Sequence, residues 1–242
     1  MTLQRIKWKP RRFDKGASLG RQKSNFWVSD NTELITGDVL SIGSMKDEDG
    51  EGNHYRDYFS HADSYTTSDI EGNVDLMLDV MNMKSVPSNS YDCIFCAGVL
   101  EHVTDPKKAI NEMRRILRPN GIILVGVPFR QPIHMTDDYW RFTVHAIVYL
   151  FKDWDIKEIH PIDTEIDNFP VAYWLKAVKK LSANKLIKNM DKSPIVRSSK
   201  KNPKTGQVFK VKKNKGKGKS IKRKRNESGK IQKAPVWKPF GI

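Results

Sequence analysis

The chain has 242 residues and a mass of 27.9 kDa, room for one ordinary domain with appendages. A hydrophobic fraction of 38% and a mean hydropathy of -0.60 are low for a chain that enters a core throughout, and no window approaches the roughly 18–20 apolar residues of a membrane span. The N-terminus lacks the apolar run of a signal peptide, so the expectation is a cytoplasmic protein, or a nuclear one in a eukaryote, that is neither secreted nor membrane-spanning.

The net charge of +15 is unevenly placed. Residues 191–242 hold 18 Lys or Arg against 2 acids, which leaves the first 190 residues close to neutral. Within those, Met1–Ser24 carries Arg5, Lys7, Lys9, Arg11, Arg12, Lys15, Arg21 and Lys23 against Asp14 alone. The expected organisation is a basic arm over 1–25, an α/β domain over 26–190 and a Lys-rich low-complexity tail over 191–242.

In chain order, Asp38–Ile42 reads as a first strand that ends at the turn Gly43-Ser44. Met45–Asn53 is polar and acidic, and its Asp47-Glu48-Asp49-Gly50-Glu51-Gly52 stretch reads as a solvated loop; it lacks the ligand spacing and terminal Glu of a calcium loop. Tyr65–Ile70 suits a second strand. Asn73–Val80 alternates Val74, Leu76 and Leu78 with Asp75, Met77 and Asp79, the period of a third strand.

The block Tyr91–Phe129 is the most informative. Ile94–Ala97 is an apolar run of strand length, and Gly98 lets the chain leave the sheet. Asp105-Pro106 marks a helix start, because Asp accepts from a free amide and Pro suits the first helical position. The stripe Ala109, Ile110, Met113, Ile116, Leu117 follows, with Arg114, Arg115 and Arg118 toward the C-terminal end, where the helix dipole favours cations. Pro119-Asn120-Gly121 stops the helix, and Ile122–Val127 is a near-continuous apolar run, as in a parallel strand covered on both faces. The unit is β-α-β with a right-handed crossover. Cys93 and Cys96 form a C-x-x-C, but residues three apart in a strand point to opposite faces, so two buried thiols are expected rather than a metal pair, and no metal is predicted.

Downstream, Thr143 caps a helix running to Leu150, and Trp154–His160 reads as a strand. Pro170–Met190 has Val171, Trp174, Leu175, Val178 and Leu181 at helical spacing, the pattern of a helix packed on its sheet or lying on an anionic membrane. The tail centres on KKNKGKGKSIKRKR, has no apolar period and is expected to be disordered alone; residues 234–242, APVWKPFGI, read either as a docking peptide or as an untethered end.

Val99-Leu100-Glu101-His102-Val103, Asp105-Pro106 and Arg115-Ile116-Leu117-Arg118-Pro119-Asn120-Gly121 resemble the second half of a class I S-adenosylmethionine-dependent methyltransferase of the type 11 group, with its "LEH" loop and "RvLkPGG" turn. Asn120 stands where the family has a Gly, a mild departure because Asn tolerates left-handed backbone. Tyr55-Arg56-Asp57-Tyr58-Phe59 and Asp138-Tyr139-Trp140-Arg141-Phe142-Thr143 resemble segments of a subgroup that includes sugar-related methyltransferases. The resemblance implies a doubly wound, mostly parallel Rossmann-like sheet and S-adenosyl-L-methionine as cofactor. One departure stands out: Ser41-Ile42-Gly43-Ser44-Met45-Lys46-Asp47 keeps a single Gly and lacks the acidic residue that usually precedes it.

Ligands of such sheets bind outside the carboxyl ends of the strands, which selects the residues that end strands one to four. By resemblance, Gly43 and Ser44 would approach the methionine part, Asp69 with Ile70 beside it the ribose hydroxyls, Asp79 the adenine amino group, the Val80 amide a ring nitrogen, and Ala97 the end of strand four. Pro128–Thr143 should overhang the transferred methyl, making His134 a candidate general base and Asp138, Tyr139 and Arg141 substrate-side candidates, with His102 bordering the pocket. No N-P-P-Y signature of base amino-methylation occurs. Three readings remain open: a methyltransferase brought to nucleic acid or a ribonucleoprotein by the tail, a small-molecule or sugar methyltransferase, and a non-catalytic structural or assembly protein of a nucleic-acid-rich particle.

Overall fold

The computed structural model describes residues 17–163 and 169–180. Seven strands, β1 (Gly37–Ile42), β2 (Ala62–Asp69), β3 (Leu76–Met77), β4 (Tyr91–Ala97), β5 (Leu117–Pro128), β6 (Asp155–Ile162) and β7 (Ala172–Val178), form one sheet in the order β3-β2-β1-β4-β5-β7-β6. The pairs β1·β2, β1·β4, β2·β3 and β4·β5 are parallel; β5·β7 and β6·β7 are antiparallel. The order reverses direction at β1 and β4, so the crevice of an open α/β sheet lies outside their carboxyl ends.

Each face of the sheet has its own core. On one side α1 (Leu19–Thr32) and α2 (Tyr55–Tyr58) cover Val39, Cys93, Phe95, Leu124, Ala172 and Trp174; on the other α3 (Pro106–Ile116) and α4 (Val144–Leu150) cover Leu40, Ile42, Ile94, Cys96, Ile123 and Val125. Alternate residues of β4 thus enter opposite cores. Cys93 and Cys96 fall one to each, both buried and reduced, and burial pushes both thiols up.

Local signals place α3 and α4. The Asp105 carboxylate accepts from the Lys108 amide, Pro106 opens α3, and the Thr143 hydroxyl accepts from the Ala146 amide. At the far end the helix stops earlier than its stripe suggests. Leu117 already belongs to β5, so Arg118 is a strand residue paired with Asp38 and Asp92 rather than a helix-end cation. Asn120 adopts φ 63, the left-handed geometry that the turn requires.

Three further expectations need correction. The third strand is only Leu76–Met77, although Leu78 and Val80 keep the inward alternation and are buried. The boundary expected at residue 25 falls inside α1, whose Trp27 and Val28 are core residues. The helix expected over Pro170–Met190 is strand β7 as far as Val178, while 181–190, like 1–16 and the tail, lies outside the described residues. β7 sits between β5 and β6 and is covered on both faces: Ala172 and Trp174 enter one core, Leu175 and Ala177 the other. Tyr173, Lys176 and Val178 fill the remaining positions, Lys176 Nζ donating to Asn31 Oδ1 at 3.1 Å. An apolar run buried on both sides mimics helical spacing once a Lys interrupts it.

Candidate functional site

A cavity of about 300 Å³ opens at the carboxyl ends of β1 and β4, lined by residues 41–48 together with Tyr55, Phe95 and Ala97. Its floor is the turn after β1. The amides of Gly43 and Ser44 both donate to the Ser68 carbonyl (2.8 and 3.1 Å), the Ser44 hydroxyl accepts from the Ser68 amide (2.9 Å), and the Ser68 hydroxyl donates to the Ser41 carbonyl (2.8 Å). Three serines thus pin a turn that has only one glycine. Gly43 has φ +77, and a Cβ there would overlap Val99 Cγ2, so the turn packs directly on the loop that follows β4.

The segment expected as a solvated loop closes one side of this cavity with buried carboxylates. Asp47 accepts from Arg56 (Nε 3.2 Å) and from the Tyr65 hydroxyl (2.8 Å). Asp49 accepts from the Tyr58 hydroxyl (2.7 Å), Asn53 Nδ2 (2.9 Å) and the amides of Glu51 and Asn53, while Asn25 of α1 donates to the Asp49 carbonyl and to Glu51. Burial alone would raise the Asp49 carboxyl, but these donors outweigh it and hold it at about 2, against the usual 3.8. The stabilisation is therefore complete above about pH 4 and is lost as pH falls through 3.8 toward 2. We expect urea unfolding to show roughly 1–2 kcal/mol of this acid lability, and Asp49→Asn to flatten that limb between pH 4 and pH 2 while lowering stability at pH 7.

Beyond the Gly43 turn, against which Val99 packs, the loop Gly98–Val103 meets the segment Pro128–Thr143. The amides of Tyr139 and Trp140 donate to the Glu101 carbonyl (2.8 and 3.3 Å), and Trp140 Nε1 donates to the Val103 carbonyl (2.8 Å). Arg141 pairs with Asp138 and donates to the carbonyls of Gln131 and Pro132 (3.0 and 2.9 Å), which folds the segment on itself. That pairing holds the Asp138 carboxyl at about 2 against the opposing effect of burial. Glu101 is 2% exposed, and its Oε2 has no hydrogen-bond partner among the described residues; burial pushes its carboxyl up. His102 and His134 meet edge to face, ring centroids 5.0 Å apart.

Residues 57–125 match the sequence family described as a methyltransferase domain. The ubiquinone/menaquinone biosynthesis C-methyltransferase UbiE of Enterobacter sp. (strain 638) is 33% identical over 78 residues, 31% of this chain and 31% of that protein. UbiE of Hahella chejuensis is 48% identical over 46 residues, 19% of this chain and 18% of that one. The chain thus spans less than a third of the length of the curated relatives it matches. Among solved structures, the N-methyltransferase NodS of Bradyrhizobium japonicum, in complex with S-adenosyl-L-homocysteine, superposes with a TM-score of 0.52 at 14% identity, over 72% of this chain and 93% of that one. Residues 57–125 thus match a methyltransferase domain, and the described residues have the class I methyltransferase fold.

The methyltransferase fold does not by itself fix the reaction. The [4+2]-cyclase SpnF superposes with a TM-score of 0.53 at 14% identity, over 66% of this chain and 81% of that one. Placement of the individual residues therefore matters. Gly43, Ser44 and Ala97 line the cavity of the methyltransferase domain. Asp69 ends β2 beside it, with Oδ2 accepting from the Met45 amide (3.2 Å) and Oδ1 from the Ile70 amide (2.7 Å); the Ile70 side chain is exposed. Asp79 Oδ1 accepts from the Met81 amide (2.7 Å), and Val80 is buried. His134, Asp138, Tyr139 and Arg141 lie together on the segment after β5. No motif announces Tyr55, Phe95, Asp47 and Glu48 as cavity walls, or Glu101 as the buried carboxylate of its loop. An acidic residue inside an otherwise apolar post-strand motif was the available signal for Glu101.

Proposed function

We propose that the protein is an S-adenosyl-L-methionine-dependent methyltransferase whose cofactor lies over the carboxyl ends of β1, β2 and β4 and whose acceptor enters between Gly98–Val103 and Pro128–Thr143. The observation that carries this reading is the cavity against the Gly43 turn, placed at the switch point of a methyltransferase domain. The residues present suit the group. Gly43 leaves the backbone open to close approach; both Asp69 oxygens and Asp79 Oδ1 each accept one amide, and both carboxylates keep capacity for a further donor such as a ribose hydroxyl or an exocyclic amine. When bound, the cofactor supplies a methyl carbon on a sulfonium, to which an acceptor lone pair bonds as the carbon–sulfur bond breaks and its electrons return to sulfur. The chain has to orient that acceptor, exclude water and take up its proton. His134, at the exposed rim of the Pro128–Thr143 segment, is placed to receive the proton, with Asp138 Oδ2 3.2 Å from its Nδ1. Calorimetric titration with S-adenosylmethionine tests the reading; absence of binding at millimolar concentration would exclude it in favour of a non-catalytic role.

The basic tail extends the proposal. Eighteen Lys or Arg within residues 191–242 favour recruitment to a nucleic acid or ribonucleoprotein through phosphate contacts that release counterions. Removing residues 191–242 is expected to weaken binding of a single-stranded RNA probe about 100-fold at low salt and to abolish most of its salt dependence. Unchanged affinity and slope would instead favour a small-molecule acceptor, the class named for the 1,6-didemethyltoxoflavin-N1-methyltransferase of Burkholderia thailandensis, which superposes with a TM-score of 0.52 at 14% identity over 68% of this chain and 79% of that one.

A further inference from the structure

Glu101, His102 and His134 each offer a ligand atom, and these atoms all lie within 4.8 Å of one another. Proximity alone is common, but here the hydrogen bonding around the rings leaves a specific arrangement of lone pairs. His102 Nδ1 lies 2.6 Å from the carbonyl of Asp137, and a carbonyl only accepts, so Nδ1 carries the proton. In the neutral ring Nε2 is then a bare acceptor. It sits 3.9 Å from Glu101 Oε1, and the second oxygen of the same buried side chain has no partner among the described residues. At His134, Nδ1 lies 3.2 Å from Asp138 Oδ2, which also accepts from the His134 amide, and this side-chain pairing leaves Nε2 as the ring's other donor atom. Asp138 is itself held by Arg141, so the ring orientation is braced.

We propose that Glu101, His102 and His134 form a binding site for one divalent transition-metal ion of zinc-like preference, open on its outer side to an oxygen ligand. Two imidazoles and one carboxylate suit zinc, cobalt or ferrous ion better than the all-oxygen shells of magnesium or calcium. The Nδ1 partners are those that metal-bound histidines use to fix tautomer and orientation, a backbone carbonyl for one ring and a carboxylate for the other. Donor atoms around a four-coordinate zinc-like ion stand about 3.3 Å apart, so closure from the present spacing requires a shift of roughly an ångström. His134 can supply it, because its side chain is 42% exposed at the rim, whereas Glu101 is fixed beneath.

Three protein ligands leave at least one position free for a ligand from outside the chain, and His134 is the exposed member of the three. An ion there would bind a hydroxyl, phenol or carboxylate oxygen and favour its deprotonated form, so that in the metal-bound protein the ion, with His134 as its ligand, takes over the release of the acceptor proton that His134 would otherwise receive. This identifies the acceptor class as an oxygen-bearing chelator, a step that rests on the methyl-transfer reading; binding of the ion itself does not.

The test uses the full-length chain, stripped with a chelator and dialysed, and titrated with Co2+ alone by calorimetry and visible absorption. One equivalent should bind with intense visible bands of low-symmetry coordination, and Zn2+ should displace it. Glu101→Gln, which keeps the shape of the buried side chain, and His134→Ala, at the exposed rim, are each expected to weaken binding at least tenfold. His145→Ala, an exposed histidine of α4, should bind as the unaltered protein does. No binding at millimolar Co2+, or binding that survives both Glu101→Gln and His134→Ala, overturns the proposal. S-Adenosylmethionine titration of the same samples reports separately on the methyl-transfer reading, so loss of one is distinguishable from loss of the other.

Discussion

Gly43→Ala is expected to lower the affinity for S-adenosylmethionine by at least about 100-fold, equivalent to about 2.7 kcal/mol. Two costs combine. The turn needs φ +77, a conformation that costs a residue with a Cβ roughly 1–2 kcal/mol, and the added methyl overlaps Val99 Cγ2. Val99 belongs to the loop that carries Glu101 and His102, so displacing it disturbs both walls of the cleft together. The double variant Gly43→Ala/Val99→Ala removes the overlap but not the backbone strain, and should recover about tenfold of the lost affinity. Calorimetry on both variants, with thermal unfolding as a control for folding, measures this. Equal affinity in Gly43→Ala and the unaltered protein would place the cofactor elsewhere.

Trp174→Ala is expected to destabilise the domain by about 3–5 kcal/mol in urea unfolding. The indole is stacked between Trp27 of α1, ring centroids 5.1 Å apart, and Phe95 of β4, at 5.8 Å. It also covers Gly126, its register partner on β5, where a Cβ would approach the indole to 2.9 Å. Small residue and large ring are complementary across the strand pair, so Gly126→Ala should destabilise as well, by overpacking. A loss below about 1 kcal/mol for Trp174→Ala would mean that the ring sits on a half-wet face, as it would on a surface helix.

These two sites also show why parts of the molecule were legible beforehand and others were not. The run from β4 through α3 to β5 is written in local chemistry: an Asp-Pro start, an amphipathic stripe, a left-handed Asn, an apolar run. Each signal acts within a few residues of itself, so it can be read from one segment. β7 is different. Val171 just before it and its Trp174, Leu175 and Val178 satisfy a helical spacing, and only the slot between β5 and β6 makes Ala172–Val178 a strand buried on both faces. The acids of the insert misled for a related reason. Asp47 and Asp49 read as solvated until Tyr58, Tyr65, Arg56 and Asn53 close around them, and no spacing rule announces those partners.

The candidate site divides the same way. Strand ends are positional, so Gly43, Ser44 and Ala97, which line the cavity, and Asp69 at the end of β2 could be selected once the order of the strands was known, whereas Asp79 lies two residues beyond the end of β3. Glu101 stands out in sequence only as an acid in an apolar post-strand motif, and its significance lies in an oxygen without a partner among the described residues. That condition arises only when the segment after β5 folds over the loop after β4.

The two cysteines acquire a use from their placement. Cys93 and Cys96 belong to one strand yet sit in different cores, and burial keeps both thiols protonated and closed to reagents until something opens. Single-cysteine variants would therefore act as two clocks inside one sheet. Labelling at Cys93 times the loosening of the α1 layer and labelling at Cys96 that of the α3 layer, so the rates would tell whether the two sides of the domain breathe together or separately.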